Sequence, residues 1–127
     1  MLHLLDTNIL IALFAGEIDV RQKMAAAEDV AVPSIVLGEL YFGAQRSARI
    51  AENTTRVDDF ASSNHVLPPD AKTASFYGIV KARLLASGRP ILENDIWIGA
   101  LGLQYQAVLV TRDAHFTQIE GLATEAW

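Results

Sequence analysis

Short apolar segments alternating with longer stretches of helical periodicity constrain this chain more than any other feature. Residues 2–5, 30–32, 65–67 and 107–110 are strand-length and mostly apolar, and each is bounded by a turn, proline or capping residue. Between them, helical patterns run over residues 9–15, 19–27, 34–45, 48–61, 71–86 and 96–105. Asp70 and Ser34 stand where N-caps are wanted, and Gly88 stands where a helix should stop. A final short strand is expected near residues 122–124. This order predicts an α/β fold, a three-layer α/β/α sandwich around a central, mainly parallel sheet. With 127 residues and neither repeat nor linker, residues 1–127 are expected to form a single domain with one core.

In open parallel sheets the functional crevice lies beyond the carboxyl ends of the strands. Four acids fall there. Asp6 directly follows the first strand and Asp113 the fourth; Asp95, beside Asn94, opens the last helix, and Glu39 lies in the helix after the second strand. If the sheet is parallel, Asp6 and Asp113 emerge at the same end, with Asp95 and Glu39 reaching toward them. Individually, Asp6 and Asp95 also suit helix caps, each worth about 1 kcal/mol, and Asp113 suits a turn. Glu39 fits neither role. It is five residues past Ser34 where a capping box needs three, and it shares a helix face with Ile35, Phe42 and Gly43. A carboxylate on an apolar face is costly unless paired or bound to metal.

Crowded carboxylates repel one another and take up protons unless a cation is present, and a divalent ion favours their ionised forms. All-oxygen ligation suits Mg²⁺ or Mn²⁺ better than Zn²⁺. There is no cysteine, so thiolate sites and disulfides are excluded. His3 and His65 read as strand residues, and His115 is close enough to Asp113 to be a further candidate.

The net charge of −5 is opposite to that of a protein gripping nucleic acid by bulk charge. Nucleic acid would have to be held by metal ions and local cations, of which Arg112, next to Asp113, is the first candidate; Lys72, Lys81, Arg83 and Arg89 read mainly as a solvated helix face. The apolar run over residues 9–15 is too short to cross a bilayer and lacks the basic flank of a signal peptide, so no membrane role and a cytoplasmic location are expected.

With these residues in view, the sequence resembles the PIN-domain ribonucleases, and among them the VapC toxins of bacterial VapBC toxin–antitoxin pairs. Four motifs in order carry the resemblance: Leu-Leu-Asp-Thr-Asn (4–8), Pro-Ser-Ile-Val-Leu-Gly-Glu-Leu-Tyr-Phe-Gly-Ala (33–44), Gly-Arg-Pro-Ile-Leu-Glu-Asn-Asp-Ile-Trp-Ile-Gly-Ala (88–100), and Leu-Val-Thr-Arg-Asp-Ala-His-Phe (109–116) with a terminal Trp127. Gly99 stands where the family often has Ala. The resemblance implies that Asp6, Glu39 and Asp95 are the central metal-binding acids and Asp113 the fourth, with Thr7, Asn8 and Thr111 in support. It further implies an Mg²⁺- or Mn²⁺-dependent endoribonuclease leaving 3′-hydroxyl and 5′-phosphate ends, a homodimer, an RNA substrate with an exposed loop, and a cognate antitoxin. A catalytically idle PIN-like binding module is the alternative. A receiver domain is disfavoured because Asp6 lacks an acidic neighbour and Thr111-Arg112 stands where a lysine is needed. A haloacid-dehalogenase-type phosphatase would need Asp where Asn8 stands.

Overall fold

The alternating pattern folds as its periodicity dictates. In the computed structural model, which describes Met1–Trp127, the elements run β1 (Leu2–Leu5), α1 (Thr7–Phe14), α2 (Ile18–Ala26), β2 (Asp29–Pro33), α3 (Ser34–Gln45), α4 (Ile50–Ser63), β3 (His65–Leu67), α5 (Ala71–Ala86), α6 (Glu93–Gln104), β4 (Val108–Val110), a 3-10 turn (Ala114–Gln118) and β5 (Ala123–Glu125). The five strands form one sheet in the order β3-β2-β1-β4-β5, and every pairing is parallel. The central strand pairs His3 with Val30 on one side and with Val108 on the other.

Parallel strands need long crossovers, and these are right-handed. Stepping from β1 to β2 to β3 therefore puts α1–α4 over one face, and the return from β3 to β4 puts α5 and α6 over the other. Enclosed on both sides, Leu4, Leu5, Ala31, Val32, Leu109 and Val110 are fully buried, and they join Ile9, Val36, Ile98 and Phe116 in one continuous core. This burial is why the inner strands read as mostly apolar stretches rather than strictly alternating ones. The edge strand β5 is exposed and only three residues long, which limits the unpaired backbone it presents.

Helix ends follow local chemistry in some places and not in others. Asp70 caps α5 as expected, within a capping box in which its carboxylate accepts from the Thr73 backbone N–H while the Thr73 hydroxyl accepts from the Asp70 N–H. Gly88, at a φ of 66°, follows the last turn in the left-handed conformation glycine tolerates best. Ser34 departs from expectation. It is the first helical residue, behind Pro33, and makes no capping bond. The fixed φ of Pro33 suits the cap position without a side-chain acceptor, here at −62°. Helix α6 begins at Glu93, earlier than its apolar stretch suggested, so Asp95 lies inside the first turn rather than at the cap.

Helix α6 owes its place to two glycines. A Cβ at Gly99 would stand 2.5 Å from Ile119 Cδ1, and one at Gly102 would stand 2.6 Å from Leu122 Cδ1. Their absence lets the segment after the 3-10 turn lie directly against the helix, so Asp95 and the Asp113–His115 stretch come together.

Candidate metal-binding active site

The reversal in strand order falls at β1 and β4, where the chain turns from one side of the sheet to the other. At that switch point the strand ends diverge to leave a crevice. Asp6 follows β1 and is 5% exposed; its backbone N–H donates to Val110 O of β4 at 3.0 Å. Three donors hold its carboxylate. Thr7 N–H reaches Oδ1 at 2.8 Å, and the Thr111 hydroxyl and Asn8 Nδ2 reach Oδ2 at 2.7 and 3.3 Å. Asn8 in turn accepts from the Arg112 backbone N–H at 3.1 Å, and Thr111 Oγ1 accepts from the Asp113 N–H at 3.0 Å. Of the three polar residues named from sequence, Asn8 and Thr111 thus tie the ends of β1 and β4 together around one carboxylate, and Thr7 holds that carboxylate from its own side.

Glu39 is half-buried on α3, and the Thr7 hydroxyl donates to its Oε1 at 3.1 Å. Its helix face is open rather than enclosed, since Phe42 is 62% exposed and Gly43 is also exposed. Asp95 is largely buried in the first turn of α6, where a helix N-terminus favours negative charge. Asp113 caps the 3-10 turn by accepting from the His115 N–H at 3.2 Å. The turn expected from sequence is present, and it coexists with a place in the cluster.

The electrostatics are those of acids that need a counter-ion. Burial raises the Asp6 carboxyl above its ordinary value; the Thr111 and Thr7 hydrogen bonds partly oppose this, and the charges of Asp95 and Asp113 add to it. Burial likewise raises Glu39, with Asp6 and Asp95 adding repulsion against the Thr7 hydrogen bond. Asp6 thus feels the charges of Asp95 and Asp113, Glu39 feels those of Asp6 and Asp95, and Asp95 and Asp113 stand together around His115, so the four acids form one cluster. An oxygen-rich, partly desolvated cluster of this kind fits a hard divalent cation.

Two basic residues stand differently from their sequence reading. Arg112 does not project its guanidinium toward the acids. It donates to Trp127 O at 3.0 Å and forms an ion pair with Glu17, fastening the C-terminus to the start of α2. His115, given only a minor place from sequence, sits among the acids: Nε2 is 2.8 Å from Asp95 Oδ2 and Nδ1 is 2.6 Å from Asp113 Oδ1. Its two-residue spacing from Asp113 was the available signal, but its contact with Asp95 spans twenty positions. Lys81 on α5 is likewise engaged, donating to Glu93 Oε1 at 2.6 Å and Tyr77 Oη at 3.1 Å.

Beside Glu39 the surface opens into an apolar groove of about 370 Å³, lined by Ile11, Phe14, Leu40 and Val57 among others, with Arg56 at its edge. Ile11 is 56% exposed at its rim.

Fold and site together are those of an α/β nuclease. The chain belongs to the PIN-domain family, whose model matches residues 3–122. It is 35% identical to the ribonuclease VapC2 of Haemophilus influenzae, covering 98% of this chain and 97% of that protein. It is 31% identical to the tRNA(fMet)-specific endonuclease VapC of Shigella flexneri, over 98% and 96% of the two chains. Its structure matches a chain of VapBC2 from Rickettsia felis, solved bound to a DNA fragment from its promoter, with a TM-score of 0.93, 30% identity, and 100% and 99% coverage.

Proposed function

We propose that this chain is the toxin of a VapBC-type pair, an endoribonuclease that hydrolyses RNA with Mg²⁺ or Mn²⁺ and is neutralised by a cognate antitoxin. The observation that carries the reading is the clustering of Asp95, Asp113 and Glu39 with the buried Asp6, whose carboxyl all three donors of the strand-end network immobilise.

Asp6, Glu39, Asp95 and Asp113 would hold the ion. When bound, a divalent cation stabilises charge on the phosphate and activates water for in-line attack. The chain's own residues preorganise that site. Thr7 links two of the acids, donating to Asp6 through its backbone and to Glu39 through its hydroxyl. Thr111 and Asn8 keep Asp6 in one rotamer, so its geometry is set before substrate arrives. A phosphate contact from Arg112 would require the phosphate to displace Glu17.

The antitoxin reading draws on the groove beside Glu39. Exposed Ile11, with Phe14, Leu40 and Val57, suits the apolar side of a partner segment, and Glu39 in the groove's lining suits a basic side chain. A homodimer and a cytoplasmic site of action belong to the same reading. No helix is long and apolar enough to cross a membrane.

The test is RNA cleavage by the purified chain, freed of antitoxin, on total bacterial RNA. Reactions with Mg²⁺ or Mn²⁺ are set beside EDTA and beside Asp6→Asn, and new 5′ ends are mapped. We expect a few sites of cleavage, absent with EDTA and reduced at least about a hundredfold in Asp6→Asn, which should remain folded. Undiminished cleavage by that variant would remove Asp6 from the site. A folded, metal-binding chain that cuts no RNA would favour the idle binding module.

A further inference from the structure

Two unpaired arginines stand at the far end of a path that begins at the acid cluster. The last turn of α5 closes in a Schellman motif: the Gly88 N–H donates to Leu85 O at 3.2 Å and the Arg89 N–H to Leu84 O at 2.9 Å. This closure turns Arg89 back beside the end of the helix that carries Arg83. Both arginines line a hollow of about 320 Å³, with Gln118 and Glu120 also in its wall. A second hollow, of about 340 Å³, is lined by Ile91, Leu92, His115 and Gln118 among others. Gln118 borders both hollows, and His115 contacts Asp95 and Asp113. One path therefore leaves the acids past His115 and Gln118 and reaches the arginines.

Arginines at a helix C-terminus have an ordinary use in facing its last carbonyls. Here those carbonyls are already satisfied. Ser87 donates to Arg83 O through its backbone N–H and its hydroxyl, each at 3.0 Å, and the Schellman bonds take Leu84 O and Leu85 O. Arg83 and Arg89 are exposed and form no ion pair, whereas Arg112 and Lys81 are committed to Glu17 and Glu93. Glu120 is the one acid in the lining of their hollow, so two arginines leave it with a net positive charge in a chain of net charge −5. Gln118 Oε1 is buried without a hydrogen-bond partner, an acceptor that an arriving hydroxyl or amino group would satisfy.

We propose that this path is the bed of the RNA strand on one side of the scissile phosphate, with Arg83 and Arg89 holding a backbone phosphate and Gln118 accepting from the nucleotide between. This rests on the nuclease reading and adds to it the direction in which the substrate leaves the metal site. Single-stranded RNA has the matching chemistry. Its phosphates suit guanidinium forks, and its ribose hydroxyls and base amino groups are donors for Gln118. An unstacked base finds an apolar surface on Ile91 and the exposed Leu92. An acidic protein segment would also suit the arginines, but the neighbouring carboxylates repel it, whereas RNA is drawn to them by the ion.

The probe is a short, end-labelled single-stranded RNA of mixed sequence, and fluorescence anisotropy reads its binding. Measurements are made with Mg²⁺ in the Asp6→Asn chain, whose impaired cleavage leaves the probe intact. Adding Arg83→Gln or Arg89→Gln should weaken binding about two- to fivefold. Each should also reduce the steepness of log Kd against log salt concentration by about 0.7. Glu120→Gln should tighten binding by a similar factor. All three positions are exposed, so the variants should stay folded. On an RNA whose cleavage site is mapped, the arginine substitutions in the otherwise native chain should raise KM and change kcat less than about twofold. Unchanged affinity and salt dependence in both arginine variants would overturn the proposal, and is the result expected if a protein segment occupies the hollow. So would a lowered kcat with unchanged binding, because the loop would then only position α6. An Asp6→Asn chain that binds no RNA at low salt would also overturn it, while the cleavage experiment still decides the nuclease reading.

Discussion

At the scale of single residues, the site holds more negative charge than the protein would keep for stability alone. Glu39 shows this most simply, because its carboxyl is raised by burial and by repulsion from Asp6 and Asp95, while its one hydrogen bond comes from Thr7. Glu39→Gln keeps an acceptor for Thr7 and removes the charge. We expect it to stabilise the metal-free protein slightly, by no more than roughly a few tenths of a kcal/mol because solvent screens this half-exposed group, and to abolish most of the stabilisation by Mg²⁺. Thermal denaturation with EDTA and with Mg²⁺ checks both parts; a destabilised metal-free variant would mean that Glu39 is held by favourable contacts. At this scale the sequence was informative wherever a residue sat beside a strand end. Asp6 and Asp113 needed only the strand boundaries to be placed, whereas Thr7, Asn8 and Thr111 were named through the family resemblance. Arg112 was legible in position but not in direction, because Glu17 and Trp127 approach it from distant parts of the chain.

At the scale of elements, α6 is the piece on which the site's geometry turns. It carries Asp95 and lies against the segment that follows His115, with Gly99 and Gly102 providing the close approach. Gly99→Ala meets only the end of the Ile119 side chain, which can rotate away, so a loss below about 1 kcal/mol is expected. Gly99→Leu must push the segment itself. We expect it to cost about 1–3 kcal/mol and to lower RNA cleavage even at temperatures where the chain is folded, by separating Asp95 from Asp113. Urea denaturation and cleavage rates on the two variants test the pair; equal behaviour would mean that this contact does not position the acids. The glycines are visible in the sequence, but what approaches them is not, since Ile119 and Leu122 lie beyond β4 in the chain.

At the scale of the molecule, the acids make stability depend on pH and metal together. Asp6 and Glu39 have native values raised above ordinary values of 3.8 and 4.5. In the window above those ordinary values the folded chain holds more protons than the unfolded one, so the stability contributed by these groups falls as pH rises through their native values. Divalent ions compete with those protons and bind the ionised forms. We therefore expect the stability gained from a fixed Mg²⁺ concentration to be larger at about pH 8 than at about pH 5. Calorimetry on matched samples with Mg²⁺ and with EDTA measures it, and equal gains at both pH values would place the ion away from these acids. The net charge of −5 is consistent with the same view, because bulk charge repels RNA and leaves the ion and local contacts to hold it.

The sequence by itself determined the layered α/β architecture, because the spacing of apolar runs is a local property that a parallel sheet must obey. It also determined that Asp6 and Asp113 would share one end of that sheet. Tertiary structure decided the strand order that puts the switch point between β1 and β4, the open face around Glu39, the capture of Arg112 by Glu17, and the central position of His115. Each of these depends on contacts between residues far apart in the chain, and neither periodicity nor local capping chemistry encodes which distant partner a side chain will meet.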